Sequence, residues 1–218
     1  MVNHGFQLTG DHGIFQIDGT HQNICLADVF SVQGTGGVVY DSADVDSGRI
    51  TKLPLISANT STIIAIDCDN WAQISADSMI QPIHAAKVNA KIYAFSDKPN
   101  NWYKSNMGLS IRNDQNIEVY NSNWAIMKIV DVFNIGYVES WSYKIPAGKK
   151  YAFVVLSGNI EVSIHNHDGE VRNHFYRRVG NLFEINFMAY SKFISYASRM
   201  HHVIKTPISI IVIDVADL

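Results

Sequence analysis

The chain has 218 residues, 47% of them hydrophobic and 17% charged, with a formal net charge of -3 when histidine is neutral. That length can bury a core without disulfide or metal staples, and the composition excludes a disordered chain. Lys and Arg are scattered apart from short pairs such as Lys149-Lys150 and Arg177-Arg178, so no basic stripe suits a phosphate backbone and nucleic acid is not an expected partner.

The opening residues, Met1-Val2-Asn3-His4-Gly5, lack a basic segment followed by an apolar run. No signal peptide is expected, and synthesis in the cytoplasm is the default. Gly5 to Asp18 alternates apolar and polar residues on either side of Gly10-Asp11-His12-Gly13, the pattern of a β-hairpin. Cys25 and Cys68 sit in apolar or strand-like stretches without a paired zinc spacing, and both read as small core residues. Gly34-Thr35-Gly36-Gly37 is a turn, and Thr62-Ile63-Ile64-Ala65-Ile66 is a strand. Asp67-Cys68-Asp69-Asn70 ends that strand; it lacks the Gly and the distal Glu of a calcium loop. Ala76 to Lys87 has helical spacing interrupted by Pro82. Lys91 to Phe95 is again a strand.

Farther along, Pro99-Asn100-Asn101 is a turn, and it places Trp102 and Tyr103 directly after it, at the surface. Gly108 to Asn121 is a second hairpin. Trp124 and Trp141 read as core residues, since a large aromatic ring is usually buried. Tyr151 to Leu156 is a strand, Val162 to Val171 a third hairpin, and Ser195 to His202 a second short helical piece. The longest apolar stretch, Ile208 to Val215, is interrupted by Ser209 and Asp214; it suits a buried strand and is too short for membrane insertion.

The fold class expected from this succession is all-β: antiparallel, sandwich-like sheets built from hairpins, with very little helix. It divides either into an N-terminal β region, 1–96, and a C-terminal sandwich-like region, 97–218, or forms one continuous domain. The three hairpins also align as an internal repeat, Gly5–Ile14 with Gly108–Ile117 and, more loosely, Val162–Val171. In that alignment Gly13, Asn116 and Gly169 supply the left-handed residue that closes each turn.

The segments His4–Leu8 and Ile14–Asp18, the second hairpin at Gly108–Asn121 and the turn-plus-strand Pro146–Val155 resemble parts of small minor-tail and tail-tip proteins of siphophages and prophages. The resemblance covers fragments of the chain and rests on hairpin patterns rather than on chemistry. It implies a virion structural protein of the tail or tail tip, made in the host cytoplasm and contributing to tail architecture and host attachment. Its implied partners are other copies of itself, first as a trimer, neighbouring tail proteins and a host surface glycan or protein, with no cofactor.

No Gly-x-Ser-x-Gly, phosphate loop or dinucleotide fingerprint occurs, so an enzyme is not expected. The metal candidate is His165-x-His167, whose side chains would share a face if both lay on a strand; the intervening Asn166 places the triplet at a hairpin turn instead. Gly158, His165, His167 and Glu170 are similar to the cupin metal motif, but both spacings differ by one residue, which in a strand turns a ligand to the other face. His201 and His202 point to opposite faces of a strand. Trp102 and Tyr103 beside Asn101 are the binding candidates, since saccharide sites and protein interfaces both use exposed aromatics ringed by Asn. A lectin-like carbohydrate-binding module is therefore the alternative to a tail part, and a cupin-type metalloenzyme the further alternative.

Overall fold

The computed structural model describes residues 5–10, 13–18, 24–35, 51–52, 62–75, 79–82, 87–96, 107–156, 160–194, 198–216 and 218. In chain order the strands are β1 (Gly5–Gly10), β2 (Gly13–Asp18), β3 (Cys25–Thr35), β4 (Thr51–Lys52), β5 (Thr62–Cys68), β6 (Ala72–Ser75), β7 (Met79–Pro82), β8 (Lys87–Ser96) and β9 (Ser110–Arg112). They continue as β10 (Glu118–Asn121), β11 (Lys128–Gly136), β12 (Ser140–Lys144), β13 (Tyr151–Leu156), β14 (Ile160–His165), β15 (Asp168–Val179), β16 (Leu182–Ile194), β17 (Arg199–Ile204) and β18 (Ile208–Asp214). The fold is all-β and antiparallel, with no helix among the described residues.

One sheet has six strands in the order β11-β18-β13-β5-β8-β3, and another runs β12-β16-β15-β6-β7-β4, with β14 and β17 attached beside β15. Each draws strands from both 1–96 and 97–218. The sandwich core lies between them: Ile66, Ile92, Phe153 and Ile210 from the first sheet meet Tyr176, Phe183 and Ile185 from the second. Facing strands give the core their alternate residues, so the next residues along, such as Ala65, Tyr93, Val154 and Ile213, point to the opposite face of the six-stranded sheet. There they form a second apolar cluster around Phe95.

That second cluster is covered because the sheet curls. Cys25, at the start of edge strand β3, bridges to Ile126, just ahead of the other edge strand, β11. Leu26 N–H donates to Ala125 O at 2.7 Å and Met127 N–H to Ile24 O at 2.9 Å, so the two edges meet there. Joining edges in this way satisfies backbone groups that an open sheet would leave exposed. A half-barrel backed by a second sheet results.

Two expected helical pieces are strand where the structure describes them. Met79–Pro82 pairs antiparallel with β6, Pro82 falling at its last residue, and Lys87 opens β8. Arg199–Ile204 pairs along its whole length with β14. Met79–Pro82 is held between its neighbour β6 and β4, and Arg199–Ile204 by β14, and in both the sheet pairing outweighs a short helical spacing.

All three expected hairpins form. β1 and β2 make one two-stranded sheet, β9 and β10 another, both apart from the main sheets. In the second, Asn113 Oδ1 accepts from the N–H groups of Gln115 and Ile117, and Asn116 takes the left-handed conformation at φ 61°. The other two turns differ from the expectation. Gly13 is a strand residue paired with Gly10, and Gly169 lies within β15, paired with Ile164 and Phe193. The third hairpin closes earlier, between the partners His165 and Asp168, with Asn166 at φ 48° and His167 at φ 71°. Positive φ at both central residues is the signature of a two-residue type I′ turn.

Candidate functional site

Among the described residues the sequence candidates do not converge. Asn101, Trp102 and Tyr103 lie outside the described residues, as does Gly158. His165 ends β14 and His167 is in the turn, both exposed, so they do not share a strand face. Glu170 is turned to Arg172, 3.8 Å away. Among the described residues no group of three or more His, Cys, Asp or Glu side chains comes together as a metal site. His201 Nε2 lies 3.0 Å from Glu161 Oε1, on the surface, and its neighbour His202 sits across from Val162. Trp141 packs against the sandwich core, where it and Tyr143 flank Phe133, each ring 5.3 Å from it. Trp124 is half-buried and belongs to neither core cluster.

The structure brings together a different set, at the corner where the chain leaves one sheet for the other. Cys68 is the last residue of β5 and faces the sandwich core, where its thiol donates to Tyr176 O at 3.3 Å. Its neighbours Asp67 and Asp69 therefore face the other way. Across the strands Asp67 is level with Lys91, and Lys91 with Ser31. One rung on, Asn89 is level with Gln33, and Asp69 bonds to Asn89. These two polar rungs continue the sheet face that carries Tyr93 and Ala65, at the point where it emerges from under the curl into solvent. They floor a cleft of about 270 Å³, with Arg178 on its wall.

Every charge in the cleft is held. The Arg178 guanidinium grips Asp67 with two bonds, Nε to Oδ1 and Nη2 to Oδ2, the latter 2.8 Å, while its Nη1 donates to Gly180 O at 2.9 Å. The bond to Asp67 is the main reason that the Arg178 pKa stands above its ordinary value. Such a fork fixes both partners in orientation as well as in charge. Asp69 accepts from both the backbone N–H of Asn89, at 2.8 Å, and its Nδ2, at 2.6 Å. The Lys91 ammonium sits 4.9 Å above the Tyr93 ring. On the far side of the corner Arg177 stacks over Trp71 at 4.3 Å and pairs with Glu184 at 2.7 Å.

The chain matches no family model, no curated protein and no solved structure.

The strand end expected at Asp67-Cys68-Asp69-Asn70 is present, and Asp67 and Asp69 also form part of the cleft floor. The alternation Asp67, Asp69 against Cys68 was the available signal. Its partners Asn89, Lys91 and Arg178 become visible only once the strands are paired.

Proposed function

We propose that the chain is a non-catalytic building block of a larger protein assembly, of the kind found in the tail or tail tip of a bacteriophage, contacting copies of itself and neighbouring structural proteins. The observation that supports this reading most directly is the set of apolar side chains left exposed on the second hairpin and on an edge strand. On the second hairpin and its approach, Met107 is 82%, Leu109 55% and Ile117 47% exposed. Along the edge strand β11, Val132 is 60% and Ile129 51% exposed. Apolar side chains left in solvent on two elements are candidates for contact with another protein if they gather into one patch. The tail assignment adds the hairpin resemblance to that physical argument, and it is analogy.

Mass spectrometry of purified phage particles, combined with light scattering on the isolated chain, tests the reading. Presence in the particles at a fixed copy number, with self-association in solution, is the expected result. A chain that stays monomeric at high concentration and is missing from particles overturns it.

A further inference from the structure

We propose that the cleft over β3, β5 and β8 binds one neutral sugar residue, with Asn89, Asp69, Ser31 and Lys91 as its hydrogen-bonding set. The site is separate from the apolar surfaces invoked above, and the inference stands whether or not the chain belongs to a tail.

Shape comes first. Two rungs on three neighbouring strands make a polar tile roughly 10 Å by 7 Å, from strand spacing and the two-residue repeat along a strand. That is the footprint of a single pyranose with its hydroxyls, and a cleft of about 270 Å³ holds one ring rather than an oligosaccharide. The position also fits, since ligands commonly enter where a curled sheet opens.

Charge then selects the ligand class. Two carboxylates and two cations line the cleft, Asp67 and Asp69 against Lys91 and Arg178. A phosphate or sulfate would meet both carboxylates, and a metal ion would meet both cations. A neutral polyhydroxylated molecule avoids either repulsion and uses donors and acceptors together. The internal bonds leave capacity for it. Arg178 occupies Asp67 and fixes its direction, and the Asp69 carboxylate holds the Asn89 amide by one Nδ2 proton. Asn89 Oδ1 and its second amide proton, the Ser31 hydroxyl and the Lys91 ammonium have no hydrogen-bond partner among the described residues. Asn89 and Ser31 are also exposed, so neither must be dug out of the core to reach a ligand. A fixed amide beside a fixed carboxylate offers a donor and an acceptor a few ångströms apart, the arrangement that adjacent ring hydroxyls require. Among the described lining residues none offers an aromatic ring to stack on the sugar, and Tyr93 beneath Lys91 is only 3% exposed. The affinity is accordingly in the millimolar range, as for a ligand held by a few hydrogen bonds in an open cleft.

Amide shifts in NMR spectra of the full chain provide the test, with methyl α-glucoside, methyl α-galactoside, methyl α-mannoside and N-acetylglucosamine added singly at tens of millimolar, and sodium phosphate and calcium chloride as comparators. At least one of the four sugars is expected to shift the Ser31, Asn89 and Lys91 amides, with saturation transfer from protein to sugar. Asn89→Ala is expected to weaken binding about tenfold, which removes the shifts at the same sugar concentration. Ser31→Ala, which breaks no bond in the corner, should weaken it too while leaving the melting temperature unchanged. The inference is overturned if none of the sugars shifts those amides, if phosphate or calcium shifts them in preference, or if sugar shifts persist unchanged in both variants.

Discussion

Phe153 and Phe183 lie face to face, ring centroids 3.7 Å apart and planes 5° from parallel, and they belong to opposite sheets. Both are fully buried. Tyr143 approaches Phe153 edge-on at 6.2 Å and Tyr176 lies 6.3 Å from Phe183, so the pair is the centre of an aromatic chain joining the two layers. Removing one ring leaves a cavity that two paired sheets cannot close by shifting. Phe183→Ala should therefore cost about 3–5 kcal/mol in urea unfolding, with Phe183→Leu costing less. A loss under about 1 kcal/mol for the alanine variant would show that the sheets do not meet through this pair.

The strands behind that core were legible because their alternation is local. Tyr151 to Leu156 and Lys91 to Phe95 announce themselves in five or six residues, and the hairpins do so in ten to fifteen. The closing residue was legible in the second hairpin, where Asn116 is left-handed as expected, and not in the other two. Asp168-Gly169 looks like a turn pair, yet β14 keeps pairing as far as His165, opposite both Asp168 and Arg199, which moves the turn to Asn166-His167. The cleft was hidden for a stronger reason: Asp67 and Arg178 stand 111 residues apart and meet only where the chain changes sheets.

The turn itself yields a prediction. His167 holds φ 71° and Asn166 φ 48°; asparagine tolerates that region, whereas a residue with a bulkier Cβ does not. His167→Gly should leave the melting temperature equal or higher, because Asn-Gly is the preferred type I′ pair. His167→Val should lower stability by roughly 1–2 kcal/mol. Equal melting of the glycine and valine variants would move the left-handed residues elsewhere.

Arg178 and Asp67 join the β15 end of one sheet to the β5 end of the other, with side chains 36% and 20% exposed. At that exposure water screens much of the attraction, so the coupling should be about 1 kcal/mol despite the two-bond geometry. A double-mutant cycle with Arg178→Ala and Asp67→Ala measures it by urea unfolding. The coupling should shrink in 1 M salt; a value near zero at low salt would reduce the pair to a surface contact.

Cys25 and Cys68 are both fully inside, and burial pushes the Cys25 thiol from an ordinary 9.0 up to about 12. Burial raises Cys68 as well, helped by the charges of Asp67 and Asp69 and opposed by Arg178. At pH 8 neither thiolate forms in the native protein, so a thiol reagent such as DTNB should label neither until denaturant is added, and then both. The pH dependence of stability follows from the direction of these shifts. Between about pH 9 and 12 the unfolded chain gives up thiol protons that the native protein retains, so the native state binds more protons and stability falls as pH rises. Below pH 9 both states keep the protons and the thiols contribute no slope. Replacing both residues with alanine should flatten the alkaline limb of a plot of unfolding free energy against pH, apart from what Tyr and Lys contribute. Rapid DTNB labelling of the native chain at pH 8, or an alkaline limb unchanged in the double variant, would place at least one thiol in contact with solvent.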